Sequence, residues 1–167
     1  MPISVYDAVV TTPIRMLRNL DRQLEKAIAF AESRQIEPRV LLSCRLAPDM
    51  FDLCRQIQLT TDFAKGPAAR LAGKDPPKME DTETTVPQLR ARIERTRQYL
   101  ADFIPDQFEG AEERQIVIPL RDRTLEMVGS DYLLNFAVPN FYFHYIAAYA
   151  ILRHNGVEIG KGDFLGG

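Results

Sequence analysis

The sequence predicts an all-α protein, a four-helix bundle with a short β-hairpin or a pair of irregular strands between helices 3 and 4. Four long segments repeat apolar residues every three or four positions, which is the period of one helical face. The stretch 114–128 alternates apolar and polar residues instead. A chain of 167 residues suits one domain, which we expect to span residues 1–167.

Composition and charge are typical of a soluble globular protein and argue against several function classes. Hydrophobic residues make up 46% of the chain, charged residues make up 26%, and the formal charge is −2. A chain without a basic surplus has no broad positive field for nucleic acid. Two cysteines, Cys44 and Cys54, are too few for a disulfide scaffold. We therefore expect no nucleic-acid partner.

Two segments bear on localisation. The N-terminus lacks the basic start and the unbroken apolar run of an export signal. The segment 132–152 is as long as a membrane span, but Asn135, Asn140 and His144 would be costly in lipid. We expect a cytoplasmic protein with no membrane partner, in which this segment is a buried helix.

The first helix is predicted from Ser4 to Ser33. Ser4 and Asp7 have the spacing of a capping box, in which a hydroxyl and a carboxylate satisfy free backbone amides. Pro13 lies inside the helix, where it removes one amide and clashes with the carbonyl of Val9. We therefore expect a kink at this proline.

The second helix is predicted to begin near Ala47, with Pro48 in its first turn, where a missing amide costs nothing. Gly73 is a natural terminator beyond its last apolar residue. Gly66-Pro67 is expected to bend or briefly break the last two turns. Consecutive prolines then indicate a loop over residues 74–78.

The third helix is predicted to follow Thr85, which is a good N-cap with Gln88 in the box position. This helix carries an arginine cluster interleaved with one glutamate: Arg90, Arg92, Glu94, Arg95 and Arg97. The cluster has two interpretations, a phosphate-binding patch or a solvated outer face. The glutamate and the narrow apolar stripe favour the solvated face.

Two alternating runs, 115–120 and 124–128, are predicted as the hairpin, and Pro119 confines its strand to an edge. The fourth helix is predicted to begin with Ser130 as N-cap and to end near His154, with Asn155-Gly156 as a left-handed cap. Because it is apolar nearly all round, we expect it at the centre of the bundle.

Asn140 and His144 interrupt the apolar stripe of the fourth helix, and residues four apart share a helical face. Pro139 cannot donate to the carbonyl of Asn135, which leaves that carbonyl free. Such polar groups at a proline kink can form a small binding site, near which Tyr145 also lies. They can equally form a core network in which every polar group is satisfied.

A metal site needs more ligands than this helix supplies. His144 and His154 are ten residues apart, so they point in different directions about 15 Å apart along the axis. Further ligands would have to come from Cys54, Asp62 or Asp7. Cys54 is on an apolar stripe, where a buried thiol is usually inert, and Asp62 lies beside Gln58 and Lys65, where its structural interpretation is a surface ion pair.

Several segments together resemble the DinB-like (YfiT-like) superfamily of metalloenzymes, and in particular an uncharacterised bacterial branch known only as a domain of unknown function. The resemblance covers essentially the whole chain. It is carried by four segments: Leu46-Ala47-Pro48-Asp49-Met50-Phe51, Ala69-Arg70-Leu71-Ala72-Gly73, Asn140-Phe141-Tyr142-Phe143-His144 and Ile151-Leu152-Arg153-His154-Asn155-Gly156.

The resemblance implies a four-helix bundle and often a homodimer. Many members hold nickel or zinc with one histidine on the second helix and a His-x-x-x-His pair on the fourth. Here His144 occupies the first position of the pair, but Ala148 occupies the second. The second-helix position falls at Thr61-Asp62-Phe63, which contains no histidine. The resemblance therefore carries the fold without the metal chemistry.

The combined interpretation is a protein with a degenerate metal site and no cofactor, which binds a small ligand or a partner protein near the Asn140/His144 kink. The candidate ligand-binding residues are Asn140, His144, Tyr145, Asp62 and Cys54. One alternative is a metal- or thiol-dependent transferase that uses His144, with a divalent metal such as nickel or zinc. Another is a purely structural or interaction protein.

Overall fold

A computed structural model describes residues 4–119 and 122–167. It confirms an all-α fold with one short antiparallel hairpin. The α-helices are α1 (Thr12–Ser33), α2 (Leu53–Leu71), α3 (Val86–Ala101), α4 (Gly129–Asp131), α5 (Val138–His154) and α6 (Lys161–Leu165). Two π-helical segments, Asp7–Thr11 and Tyr132–Ala137, precede α1 and α5, and 3₁₀ turns occupy Pro38–Ser43 and Pro105–Phe108.

The four long helical runs pack around a common core. Helix α2 packs against α5 and α3, while α1 packs against α3 and α6. The apolar stripes predicted from the sequence face inward, as shown by the fully buried Leu20, Ile57, Ile93 and Ile151, one from each long run. Within the described residues, the structure has no helix that is both long and apolar enough to cross a membrane.

Side-chain caps mark the start of three helical runs: the run that contains the first π-helical segment and α1, then α2, and then α3. The hydroxyl of Ser4 accepts the amide of Asp7, and Thr85 forms the predicted capping box with Gln88. The predicted start of the second helix at Ala47 is wrong, because Asp52 caps α2 by accepting the amide of Arg55 at 2.9 Å. The preceding Ala47–Met50 segment forms a turn, in which a proline is as favourable as in a first helical turn.

Prolines affect the three helical runs differently. Both π-helical segments end just before a proline, Pro13 or Pro139, and each closes with a backbone bond to a carbonyl five residues back. A π turn changes which carbonyl faces the proline ring, because the backbone bond just before each proline runs to the fifth residue back and not to the fourth. Pro67, by contrast, lies inside α2, which remains unbroken, so the predicted interruption is wrong. Pro67 is buried, and packing of the bundle maintains this helix.

Glycines end two of the helices as predicted. Gly73 and Gly156 have φ angles of +72° and +95°, in the left-handed region that favours glycine. After each glycine the next amide bonds back to the last helical turn, Lys74 to Ala69 and Val157 to Leu152. This is the Schellman arrangement of a helix C-terminus.

The hairpin joins strands β1 (Gln115–Pro119) and β2 (Thr124–Val128), paired antiparallel from Gln115↔Val128 to Pro119↔Thr124. Ile116 and Ile118 point into the core. The predicted hairpin also included Leu120 and Arg121, which lie outside the described residues.

The prediction that Ser130 is the N-cap of the next helical run is wrong. The amide of Ser130 donates to the carbonyl of Glu112 at 2.9 Å, and α4 begins one residue earlier, at Gly129. A Cβ on Gly129 would lie 1.7 Å from the carbonyl oxygen of Ala111. Only glycine therefore allows the hairpin to enter the bundle this closely.

Candidate functional site

His144 lies buried on α5 and is held by a residue of α2. Its Nδ1 lies 2.8 Å from Oε1 of Gln56, which is itself buried. The amide nitrogen of Gln56 donates to the carbonyl of Phe51 at 3.3 Å, so Oε1 is the atom turned toward the histidine. His144 therefore donates from Nδ1–H to Gln56, and Nε2 keeps its lone pair.

Aromatic rings surround the imidazole. Phe63 stacks on His144 with ring centroids 5.4 Å apart and planes 18° apart, and Phe143 meets it edge-on at 5.2 Å. Burial, with a smaller contribution from the nearby positive charge of Arg55, lowers the pKa of His144 below the ordinary histidine value. The ring is therefore neutral at neutral pH.

Asn140 and Tyr145 form hydrogen bonds with partners other than His144 and Gln56. The side-chain amide of Asn140 donates to the carbonyl of Phe136 at 2.7 Å, and not to the Asn135 carbonyl that Pro139 leaves free. The hydroxyl of Tyr145 accepts a hydrogen bond from Gln23 at 3.0 Å and donates to the carbonyl of Phe164 at 3.3 Å. Burial raises the pKa of Tyr145 above its usual range, so its hydroxyl stays protonated.

Asp62 belongs to an ion-pair cluster centred on Arg92, in which the arginine is buried while Asp62 and Asp81 remain partly exposed. Arg92 is fully buried and contacts Asp62 at 3.0 Å, Asp81 at 2.9 Å and Glu83 at 3.2 Å. Lys65, also buried, adds an ion pair with Asp62 at 2.7 Å. The ion pair that the sequence suggested for Asp62 therefore forms, and the same carboxylate, 30% exposed, also reaches the buried Arg92.

The solvated-face interpretation of the arginine cluster is wrong for Arg92. Its Nε donates to the hydroxyl of Thr61 at 2.8 Å, and its guanidinium holds carboxylates from the loop that joins α2 to α3. A buried charge is stable only with such partners. This buried pairing accounts for an arginine on the inner face of α3 and leaves no phosphate site there.

Cys54 lies at the margin of the same cluster. Its thiol lies 3.4 Å from the backbone carbonyl of Glu83, to which it donates. Burial, with the negative charge of Asp52 second, raises the pKa of Cys54 to about 11. The side chain is therefore a thiol rather than a thiolate at neutral pH.

The residues present do not fit a three-ligand metal ion. Within the described parts of the chain, no three His, Cys, Asp or Glu side chains lie close enough together to hold one. His144 is held by Gln56, and Asp62 is engaged by Arg92 and Lys65. Ala148, one turn beyond His144, is buried and has no donor atom.

A cleft opens on the side of α2 that faces the hairpin. It encloses about 310 Å³, at the lower end of the range for small-molecule pockets. Its walls come from α2, the loop that follows, β1 and the second π-helical segment. The lining residues are Leu59, Asp62, Phe63, Lys65, Gly66, Arg70, Pro76, Ile118 and Phe136.

A second gap lies where the two π-helical segments meet, between Pro13, Pro67 and Phe141 among others. Its volume is about 20 Å³, which is room for one water molecule. This gap lies beside the proline kink that the sequence singled out, and it is too small for a ligand. Of these two spaces, only the cleft beside α2 has room for a ligand, so it is the candidate site.

The cleft contains one residue that we predicted from the sequence, Asp62, and several that we did not. Phe63, Phe136 and Arg70 are the side chains that give it its chemistry. Phe63 connects it to the predicted site, because its ring lines the cleft and also stacks on His144. The helical spacing of Phe63, Gly66 and Arg70, at i, i+3 and i+7, is the signal that could have indicated a shared face.

Comparison with known proteins identifies close relatives of this chain. Residues 5–165 match the family described as "Domain of unknown function (DUF1993)". The crystal structure of a DinB family member protein from Shewanella denitrificans is 44% identical, with a TM-score of 0.92. The alignment covers 97% of this chain and 92% of that chain. No curated protein matches this chain.

Proposed function

Since this chain belongs to the DUF1993 family of DinB-like proteins, we propose that it binds a small molecule in the cleft beside Phe63 and that its metal site is degenerate. The observation that carries the proposal is the cleft itself, with about 310 Å³ of space beside two aromatic side chains that line it, Phe63 and Phe136. Concave sites with aromatic walls and a few polar groups are the usual form of small-molecule sites.

The aromatic walls are held in place by their own neighbours. Phe63 stacks on His144, and Phe136 stacks on the buried Tyr132 with ring centroids 5.7 Å apart. The two phenylalanine rings also contact each other, with centroids 5.9 Å apart. A site whose walls are already ordered loses little conformational entropy on binding. On this proposal, His144 and Gln56 position the cleft wall without touching the ligand.

Binding of the neutral fluorescent probe N-phenyl-1-naphthylamine tests this proposal. We expect saturable binding to the wild-type protein and at least tenfold weaker binding to Phe136→Ala, which removes an aromatic wall of the cleft, and to Leu59→Trp, which fills the cleft. Ile104→Ala is the matched control, because Ile104 is an exposed apolar residue just before the 3₁₀ turn Pro105–Phe108 and does not line the cleft. Absence of saturable binding, or equal binding by all four proteins, would refute the proposal.

The alternative of a metal- or thiol-dependent transferase is favoured by one observation. Histidines that bind metal usually donate their other ring N–H to an oxygen atom, as His144 does to Gln56. Metal content measured by mass spectrometry on tag-free wild-type protein and His144→Ala decides between the two. Near-stoichiometric metal in the wild type that is lost in the variant would replace our proposal with the enzyme.

We also propose that the protein forms a homodimer through the outer face of α5. Phe143 and Ile146 are 56% and 54% exposed on this face, and exposed apolar side chains that cluster often mark an interface. Light scattering coupled to size exclusion tests this proposal. We expect a dimer for the wild type and a monomer for Ile146→Glu, whereas a monomeric wild type would refute it.

A further inference from the structure

Arg70 occupies a special position at the end of α2. It is half-buried and lines both the cleft described above and an adjoining cleft of about 230 Å³. The adjoining cleft is also lined by Gly73, Lys74, Asp75 and Arg114. The Arg70 side chain therefore lies at the junction between an aromatic space and a strongly basic one.

In the aromatic cleft, no carboxylate of the described residues pairs with the positive charge of Arg70. Asp62 is the carboxylate of this cleft, and it is already paired with Lys65 and Arg92. Arg70 forms no ion pair with any residue in the described parts of the chain, and its guanidinium donates to the hydroxyl of Tyr132 at 3.3 Å. A guanidinium has five N–H donors in a planar fork, so most of this fork remains for another acceptor.

The adjoining cleft strengthens the positive potential around Arg70. Its lining carries Arg70, Lys74 and Arg114 against the single carboxylate of Asp75. Arg114 donates to the backbone carbonyls of Leu71 and Glu109, and no carboxylate of the described residues forms an ion pair with it. Clefts lined by one sign of charge concentrate ligands of the opposite sign.

We propose that the ligand is a small aromatic molecule that carries one anionic group, a carboxylate or a phosphate. Its ring packs against Phe63 and Phe136, and its anion accepts two hydrogen bonds from the guanidinium of Arg70. Bidentate pairing of this kind is the arrangement for which arginine is better suited than lysine. This inference rests on the proposed function, because it assigns a ligand class to the same cleft.

Gly66 supports the placement of Arg70. A Cβ on Gly66 would lie 2.8 Å from Nη1 of Arg70, so the guanidinium passes close over the surface of α2 at this glycine. Because Gly66 also lines the cleft, the missing side chain lets the arginine fork lie along the cleft wall. A larger residue at this position would move the fork.

Isothermal titration of the full chain with three matched probes tests the ligand class. The probes are 2-naphthoate, 2-naphthyl phosphate and the neutral 2-naphthamide. We expect the wild type to bind at least one anion at least tenfold more tightly than the amide, and Arg70→Gln to remove that difference while keeping amide binding. Arg70→Lys should retain part of the preference, because it keeps the charge without the fork. Arg95→Gln, which removes an exposed charge outside the cleft, should behave as the wild type does.

The outcomes separate this inference from the proposal on which it rests. Tighter binding of naphthoate or of naphthyl phosphate identifies the anionic group. Equal binding of all three probes by the wild type would overturn the anion class and leave the small-molecule site intact. Failure of every probe to bind the wild type would overturn both. Loss of amide binding in both Arg70 variants, with circular dichroism unchanged, would show that Arg70 shapes the cleft and would overturn its role as the anion ligand.

Discussion

His144 on α5 donates a 2.8 Å hydrogen bond to Gln56 on α2, a residue 88 positions earlier in the chain. This bond crosses the most extensive helix–helix contact of the bundle, between α2 and α5. It fixes the tautomer of the imidazole and its orientation against Phe63. A protonated imidazole in this place would be buried beside the positive charge of Arg55.

The lowered pKa of His144 makes stability depend on pH. In the unfolded chain the histidine gains a proton near pH 6.5, whereas in the folded chain it gains one only at a lower pH. The unfolded state therefore binds more protons in this window, and the free energy of unfolding falls as the pH drops from about 6.5 toward the folded pKa. We expect urea unfolding between pH 5 and 8 to show this slope in the wild type.

His144→Gln removes the titrating group and should flatten the slope between pH 5 and 6.5. His154→Gln is the matched control, since the chain has two histidines and His154 is exposed at the end of α5. The control should keep the wild-type slope. The same slope in His144→Gln as in the wild type would contradict the assignment.

Removing the buried guanidinium of Arg92 should be strongly destabilising. Arg92→Met leaves the buried carboxylate of Glu83 without its closest cation, and breaking such a pair costs about 3–5 kcal/mol. Arg22→Met is the control, because that side chain is exposed on α1, away from the cluster, and its loss should change stability by less than about 0.5 kcal/mol. Urea denaturation measures both variants. A loss for Arg92→Met as small as that of the control would show that the Arg92 cluster contributes little to stability.

Cys54 should react slowly with thiol reagents. The rise of its pKa from 9.0 to about 11 lowers the thiolate fraction at pH 8 by roughly 100-fold, and the thiolate is the reactive form. In a Cys44→Ala background, alkylation by iodoacetamide followed by mass spectrometry isolates this thiol. We expect a rate on the order of 100-fold below that of the same variant unfolded in urea. Equal rates in the two states would mean that burial does not protect it.

A methyl group at Gly129 should disrupt the junction between the hairpin and α4. Gly129→Ala places a Cβ 1.7 Å from the carbonyl oxygen of Ala111, and the backbone shift that relieves this overlap costs about 3 kcal/mol. Gly162→Ala is the matched control, because a Cβ there meets no atom within 4 Å and alanine favours a helix. Thermal unfolding followed by circular dichroism should show a lower Tm for the first variant alone.

Most of the fold follows from interactions between residues close in sequence. Ser4 contacts Asp7, Thr85 contacts Gln88, and Gly156 lies directly after the last turn of α5, so each end could be recognised from a few neighbouring residues. The predicted start of α2 at Ala47 is wrong because a proline such as Pro48 is as favourable in a turn as in the first turn of a helix. Asp52, four residues later, decides the position through a hydrogen bond that its residue type alone does not guarantee.

The candidate site follows from contacts between residues far apart in sequence. His144 was singled out because a histidine among apolar residues is unusual, but its partner Gln56 and its stacking with Phe63 depend on how α5 meets α2. Arg92 lies on a helix face that the sequence pattern predicts to be solvated. It is buried in the structure because carboxylates of the α2–α3 loop pair with it.

Local sequence therefore defines the helices, their caps and the hairpin, because the energies involved come from hydrogen bonds and dihedral preferences within about five residues. The cleft lined by Phe63, Phe136 and Arg70 exists only in the packed bundle. It is the space that stays unfilled where α2, the hairpin and the second π-helical segment pack against each other. Its shape and its surplus charge depend on which side chains meet across helices, and tertiary packing alone decides that.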